Sequence, residues 1–133
     1  MPKLPVSKVL VIDDDALNRE YLLALLTRAG YAVRCLADGG TLAAVLDGVS
    51  FAAIVTDLYM PRVDGIEVLQ QAKRIAPGTP VVVISGRFTD ADYLYRSVCR
   101  LGAAAALKKP FRGEELLAAL DEAIAVARCG HGA

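Results

Sequence analysis

Four short apolar runs in this chain each stop at a polar residue. Val9-Leu10-Val11-Ile12 stops at Asp13-Asp14, Ala53-Ile54-Val55-Thr56 at Asp57, Val81-Val82-Val83-Ile84 at Ser85, and Ala104-Ala105-Ala106-Leu107 just before Lys109-Pro110. Continuous apolar runs of this length belong to strands covered on both faces, as in parallel sheets. If the strands are parallel, the polar residues emerge together at one edge. That edge then carries the carboxylates of Asp13, Asp14 and Asp57, the Ser85 hydroxyl and the Lys109 ammonium. Such a set can bind a divalent cation and accept a phosphoryl group.

The segments between the runs read as helices. Ala16 to Ala29 has Leu17, Tyr21, Leu25 and Leu22, Leu26, Ala29 at helical spacing, and Gly30 stops it. Ala32 to Leu36 reads as a second strand. Asp38 can cap a short helix to about Asp47, and Asp64 one from Gly65 to Ala76, stopped by Pro77-Gly78. Thr89 or Asp90 opens a helix to Leu101, and Glu114 to Ala127 is the last, with Leu116, Leu117, Leu120, Ile124 and Ala127 facing inward. The strands are predicted over Lys8 to Ile12, Ala32 to Leu36, Phe51 to Thr56, Pro80 to Ile84 and Ala104 to Leu107. Strands alternating with helices imply right-handed crossovers and an α/β fold with a parallel sheet covered on both faces. Ligands of such sheets sit outside the carboxyl ends of the strands, where the strand order reverses.

A length of 133 residues and a hydrophobic share of 55% fit one domain, residues 1–133 with a core over about 8–127. Fifteen basic residues balance fifteen acidic ones, leaving no surplus for sequence-independent nucleic-acid binding. No apolar run reaches membrane-spanning length, and Met-Pro-Lys-Leu-Pro-Val-Ser-Lys lacks the apolar core of a signal peptide. The expected compartment is the cytoplasm. Cys35, Cys99 and Cys129 with the single His131 form no metal-ligand spacing; they are expected to be reduced and mostly packed, Cys129 the most exposed. Neither G-x-G-x-x-G nor a P-loop follows the first strand, which disfavours a nucleotide-binding domain.

Two carboxylates about 4 Å apart repel by roughly 4 kcal/mol at an effective dielectric of 20. Clustered acids therefore raise a pKa or recruit a cation. Mg²⁺ suits an all-oxygen site of one or two carboxylates completed by water and phosphate. Asp13 to Asp15 also have a plain reading as caps of the first helix. Asp57, closing a buried strand, is costly without a task.

The stretch Asp57-Leu58-Tyr59-Met60-Pro61-Arg62-Val63-Asp64-Gly65 is the most specific motif. From Lys8 to Ala127 the chain closely resembles the receiver domain of two-component response regulators. That family carries an acidic pair after the first strand, D-x-x-M-P-x-x-D-G after the third, Ser or Thr after the fourth and Lys-Pro after the fifth. Here these are Asp13-Asp14, Asp57 to Gly65, Ser85-Gly86 and Lys109-Pro110. The resemblance implies a flavodoxin-like sheet of order 2-1-3-4-5, like that of single-domain chemotaxis regulators. It implies Asp57 as phosphoryl acceptor, with Mg²⁺ held by Asp13, Asp14, Asp57 and the Tyr59 carbonyl. Lys109 and Ser85 become the groups that contact the phosphoryl oxygens. It also implies a histidine kinase or histidine phosphotransfer protein as donor and a downstream protein as target. The readout face is formed by the fourth helix, fifth strand and fifth helix, through which a homodimer can also form. Membrane and nucleic acid are not expected partners, and turnover of an external substrate is not expected.

Three departures stand out. The family's switch aromatic, three residues before the lysine, is Ala106, which has no rotamer to change. Tyr93 or Tyr95 can stand in for it, although packing or a solvated face is the plainer role. The stretch from Ser85 to Gly102 is about two residues longer than the family pattern, an insertion that loops tolerate. Tyr59 and Arg87, two residues past Asp57 and Ser85, flank the acceptor, and their bulk should slow hydrolysis of its phosphate. Ala106 favours the alternative of a degenerate receiver acting as a constitutive interaction domain; the complete acid, hydroxyl and lysine set argues against it. A Mg²⁺-dependent phosphohydrolase lacks a second acid/base beside Asp57.

Overall fold

The computed structural model describes residues 7–60, 63–86 and 93–131. Five strands, β1 (Lys8–Ile12), β2 (Ala32–Leu36), β3 (Ala53–Asp57), β4 (Val81–Ser85) and β5 (Ala105–Lys108), form one parallel sheet of order β2-β1-β3-β4-β5. The helices are α1 (Ala16–Arg28), α2 (Leu42–Leu46), α3 (Gly65–Ile75), α4 (Tyr93–Arg100) and α5 (Gly113–His131). The expected α/β architecture and strand order are borne out.

The apolar strands are buried because both faces are covered. Leu10, Ile12, Ile54, Val81, Val83 and Ala106 pack with residues of α2, α3 and α4. Val9, Val11, Val55, Val82 and Ile84 face Leu22 and Leu26 of α1 and Leu116, Leu120 and Ile124 of α5. Each buried Val, Leu or Ile side chain among them contributes about 1.5–3 kcal/mol. The long α5 is also fastened by polar contacts: the Tyr31 hydroxyl donates to the Asp121 carboxylate, and Arg128 donates to Ser7 Oγ.

Several boundaries move. β3, β4 and β5 each end one residue later than the apolar runs, because Asp57, Ser85 and Lys108 still share the ladder with their neighbours. Asp38 caps a 3-10 turn over Gly39–Thr41, accepting from Gly40 N–H at 2.7 Å, before α2 begins. α5 runs past Ala127 to His131. α4 is described from Tyr93; Thr89 and Asp90, read as its start, lie outside the described residues.

The inward face of α1 is narrower than the sequence spacing suggests. Leu22 and Leu26 are buried, while Leu17 is 75% and Tyr21 49% exposed. Cys129 is exposed, as expected, and Cys35 is half-buried, but Cys99 is exposed as well, so the thiols are less packed than expected. Cys99 follows the buried Val98 on α4 and so turns away from the core, and Cys129 lies in the final turns of α5. No helix among the described residues is long and apolar enough to cross a membrane.

Candidate functional site

Because β1 pairs with β2 on one side and β3 on the other, the strand order reverses between β1 and β3. Asp13 follows β1 directly and Asp57 closes β3, so the acidic residues stand at this reversal, the usual ligand crevice of open α/β sheets. One carboxylate oxygen each from Asp13, Asp14 and Asp57 lie within 4.8 Å of one another. Lys109 reaches in from the turn after β5, its Nζ 3.6 Å from Asp57 Oδ2 and 3.8 Å from Asp13 Oδ2. Lys108, its neighbour, is exposed, as alternation along the strand requires. The Lys109-Pro110 peptide is cis.

The three aspartates after β1 divide their tasks. Asp15 is the N-cap of α1, accepting from Leu17 N–H at 2.9 Å. Asp14 is exposed at the mouth of the cluster. Asp13 is only 1% exposed; its Oδ1 accepts from Asp15 N–H, while Oδ2 has no hydrogen-bond partner. A buried carboxylate oxygen without a hydrogen bond is expensive, and the Lys109 ammonium at 3.8 Å, shared with Asp57, offsets that cost only in part. Burial pushes the Asp13 carboxyl above its usual range, and the charges of Asp57 and Asp14 push the same way, against the Asp15 N–H and Lys109. Burial also raises the Asp57 carboxyl, opposed chiefly by Lys109. One ammonium facing three carboxylates leaves a net negative crevice of hard oxygen donors. That donor set fits Mg²⁺, with the orphaned Asp13 oxygen as the observation that asks for it.

Ser85 closes β4, fully buried, and its carbonyl accepts from Lys109 N–H at 2.9 Å, which ties the ends of β4 and β5 together. The loop after Asp57 is shaped by Gly65: a Cβ there would stand 2.5 Å from the Asp57 carbonyl oxygen and 2.7 Å from Leu58 Cα. Only glycine lets α3 begin against the main chain of Asp57. Asp64 caps that helix, accepting from Glu67 N–H at 3.0 Å, so it is a cap and not one of the clustered acids. Tyr59 is 42% exposed beside the crevice. Ala106 sits in mid-β5 opposite Val83, packed in the core shared with Val98. Arg87, Pro61 and Arg62 lie outside the described residues; Tyr95 is exposed, and the Tyr93 side chain is outside the described set. A cleft of about 350 Å³ adjoins the acids, lined by Asp13, Asn18, Tyr21, Lys109, Pro110 and Phe111.

One residue escaped sequence reasoning. Arg19 donates from its guanidinium to the Asp13 carbonyl at 2.8 Å. Its signal was a cation near the N-terminal end of α1, where the helix dipole disfavours positive charge and a compensating partner is to be looked for.

Comparison with known proteins agrees with this geometry. The profile of the response regulator receiver domain matches residues 9–121. The transcriptional regulatory protein FixJ of Bradyrhizobium diazoefficiens is 36% identical over 116 residues, covering 87% of this chain and 56% of that protein. The response regulator MprA of Mycolicibacterium vanbaalenii is 38% identical over 117 residues, covering 86% and 48%. The chain thus spans about half the length of these curated relatives. A receiver domain protein from Clostridium thermocellum superposes with a TM-score of 0.84 at 27% identity, covering 93% of this chain and 98% of that one. The chemotaxis protein CheY4 of Vibrio cholerae gives 0.80 at 28% identity, covering 90% and 99%. With the family profile spanning most of its length and the sheet, strand order and relatives in agreement, the chain belongs to the response regulator receiver domain family of two-component signalling.

Proposed function

We propose that this receiver is a Mg²⁺-dependent phosphoacceptor in which Asp57 takes a phosphoryl group from a phosphohistidine. The observation that carries the reading is the orphaned Oδ2 of buried Asp13 in a cluster with Asp14, Asp57 and Lys109. An Asp57 carboxylate oxygen attacks phosphorus, the P–N bond to the donor imidazole breaks, and the imidazole leaves with a proton. Asp13, Asp14, Asp57 and the Tyr59 carbonyl would hold Mg²⁺, and the ion would supply positive charge to offset that of the transferring phosphoryl group. Lys109 moves from its carboxylate partner to a phosphoryl oxygen, and the Ser85 hydroxyl donates to another. The exposed Tyr21 lines the cleft beside Lys109, and with the exposed Leu17 of the same helix it suits a helix of the donor, a histidine kinase or histidine phosphotransfer protein.

The new group of about −2 charge pulls Ser85 and Lys109, and through them β4 and β5. The face of α4, β5 and α5 then changes its affinity for a downstream protein or for a second copy of the chain. The protein acts in the cytoplasm and turns over no external substrate. The second reading, a degenerate receiver that binds its partner constitutively, is favoured by Ala106 alone.

Incubation with Mg²⁺ and acetyl phosphate, followed by intact mass measurement, tests the first reading. One added phosphoryl group of about 80 Da, absent from Asp57→Ala and absent without Mg²⁺, is the expected result. No adduct, together with no response to a beryllofluoride mimic, would leave the constitutive reading.

A further inference from the structure

The acids of the crevice are held by more than the strand that precedes them. Asp13 is restrained at three points: its N–H donates to the Leu36 carbonyl at 3.1 Å, its carbonyl accepts from Arg19 at 2.8 Å, and its Oδ1 accepts from Asp15 N–H at 2.9 Å. Oδ2 alone accepts no hydrogen bond and faces only the Lys109 ammonium at 3.8 Å. The Arg19 contact spans six residues and closes a ring over the turn that carries Asp14. Arg19 N–H also donates to the Asp15 carbonyl at 3.0 Å, so main chain and side chain of one residue brace the whole acidic turn. The guanidinium addresses the Asp13 main-chain carbonyl and leaves its carboxylate free, so the contact fixes aim without consuming an oxygen. A planar, permanently charged donor on a half-buried stem suits this task better than a flexible ammonium.

We infer that Arg19 is a positioning residue for the cation site: by holding the Asp13 carbonyl it sets the direction of Asp13 Oδ2 and the place of Asp14. This rests on the proposed Mg²⁺-dependent reading, and extends it to a residue that touches neither the cation nor the phosphoryl group. Metal-site partners that orient a ligand without touching the metal alter affinity by about 10–100-fold when removed.

The test is titration calorimetry of Mg²⁺ into the wild-type chain, Arg19→Met and Arg19→Lys. Parallel labelling with acetyl phosphate is carried out across Mg²⁺ concentrations, and urea unfolding in EDTA checks the fold. Arg19→Met keeps the stem and removes every donor. It is expected to weaken Mg²⁺ binding about tenfold and raise the Mg²⁺ half-saturation of labelling by a similar factor. The rate at saturating Mg²⁺ should stay near wild type. Arg19→Lys keeps a donor and should recover part of the loss. A brace that serves the fold alone would lower the unfolding midpoint and leave Mg²⁺ affinity unchanged, and that result overturns the inference. If Arg19→Met does not fold, Arg19→Lys decides: a weakening of several-fold supports the inference, and wild-type affinity overturns it. Failure of the wild-type chain to bind Mg²⁺ would instead overturn the proposed function and this inference with it.

Discussion

Replacing Asp13 by asparagine should stabilise the metal-free protein, although it removes a residue of the proposed site. The Asp13 carboxylate oxygen lies within 4.8 Å of its counterparts on Asp14 and Asp57. At an effective dielectric of 20 each of these repulsions is worth about 3.5 kcal/mol or more. Against them stands the attraction to Lys109 Nζ at 3.8 Å, about 4.4 kcal/mol on the same scale. Neutralising Asp13 relieves two repulsions and forfeits one attraction, a net gain of about 2.5 kcal/mol. Water around the exposed Asp14 trims the repulsive side, whereas relief of the buried charge adds to the gain. The expected stabilisation is about 1–3 kcal/mol at neutral pH, and the amide still offers an oxygen to Asp15 N–H. The pH dependence follows from linkage. Burial raises the carboxyl pKa values of Asp13 and Asp57, so the folded state holds these protons more firmly than the unfolded chain. Their contribution to stability therefore falls as pH rises from the unfolded value of about 3.9 through the folded values. The advantage of Asp13→Asn is full above that window and shrinks towards about pH 4. Mg²⁺ at tenfold its Kd should add about 1.4 kcal/mol to the wild type and less to the variant, narrowing the gap. Urea unfolding followed by far-ultraviolet circular dichroism, in EDTA and in Mg²⁺, measures every arm. An Asp13→Asn protein no more stable than wild type in EDTA at neutral pH would refute the charge argument.

Leu120→Ala, at a fully buried site between α5 and the sheet, should cost about 2–5 kcal/mol in urea unfolding. The Tyr31 phenol is pushed up to about 12 by burial and by its bond to Asp121. The folded state keeps this proton while the unfolded chain releases it near pH 10, so stability should fall between those values. Tyr31→Phe should abolish that alkaline limb and cost about 1 kcal/mol at neutral pH; a near-ultraviolet absorbance titration and urea unfolding read both. The double change Tyr59→Asn, Arg87→Ala should shorten the life of the phosphorylated protein several-fold, and an unaltered loss of label in time-resolved mass measurement would remove the shielding role.

Much of the fold was legible because burial on both faces leaves a plain mark. The β-branched run Val81 to Ile84, bounded by Pro80 and Ser85-Gly86, suits a strand covered on both faces, and β1 and β2 have the bounds that the sequence predicts. The site was legible for the same reason, since a polar residue ending such a run must emerge at the strand's carboxyl edge. Contacts between distant elements left no such mark. Tyr31 and Asp121 meet across 90 residues of sequence, and no periodicity couples them. Leu17 and Tyr21 satisfy helical spacing yet are exposed, because α1 packs the stripe of Leu22, Leu25 and Leu26 against the core. Cys99 was misjudged because cysteine is usually buried, a tendency that cannot see which way a helix turns residue 99.

Those two exposed thiols give the molecule native reporters. Cys99 on α4 and Cys129 on α5 belong to the two helices of the proposed readout face, and both are open to solvent. Cys35 is half-buried, and burial raises its thiol pKa, so it offers less thiolate and should alkylate more slowly. Brief labelling with a maleimide spin label or dye therefore selects the pair on α4 and α5 without any engineered cysteine. The distance between the two labels, followed as beryllofluoride or acetyl phosphate is added, turns a helix displacement into a spectroscopic ruler. Kept in air without reductant, the same two side chains will join molecules into disulfide-linked oligomers that can pass for signalling dimers.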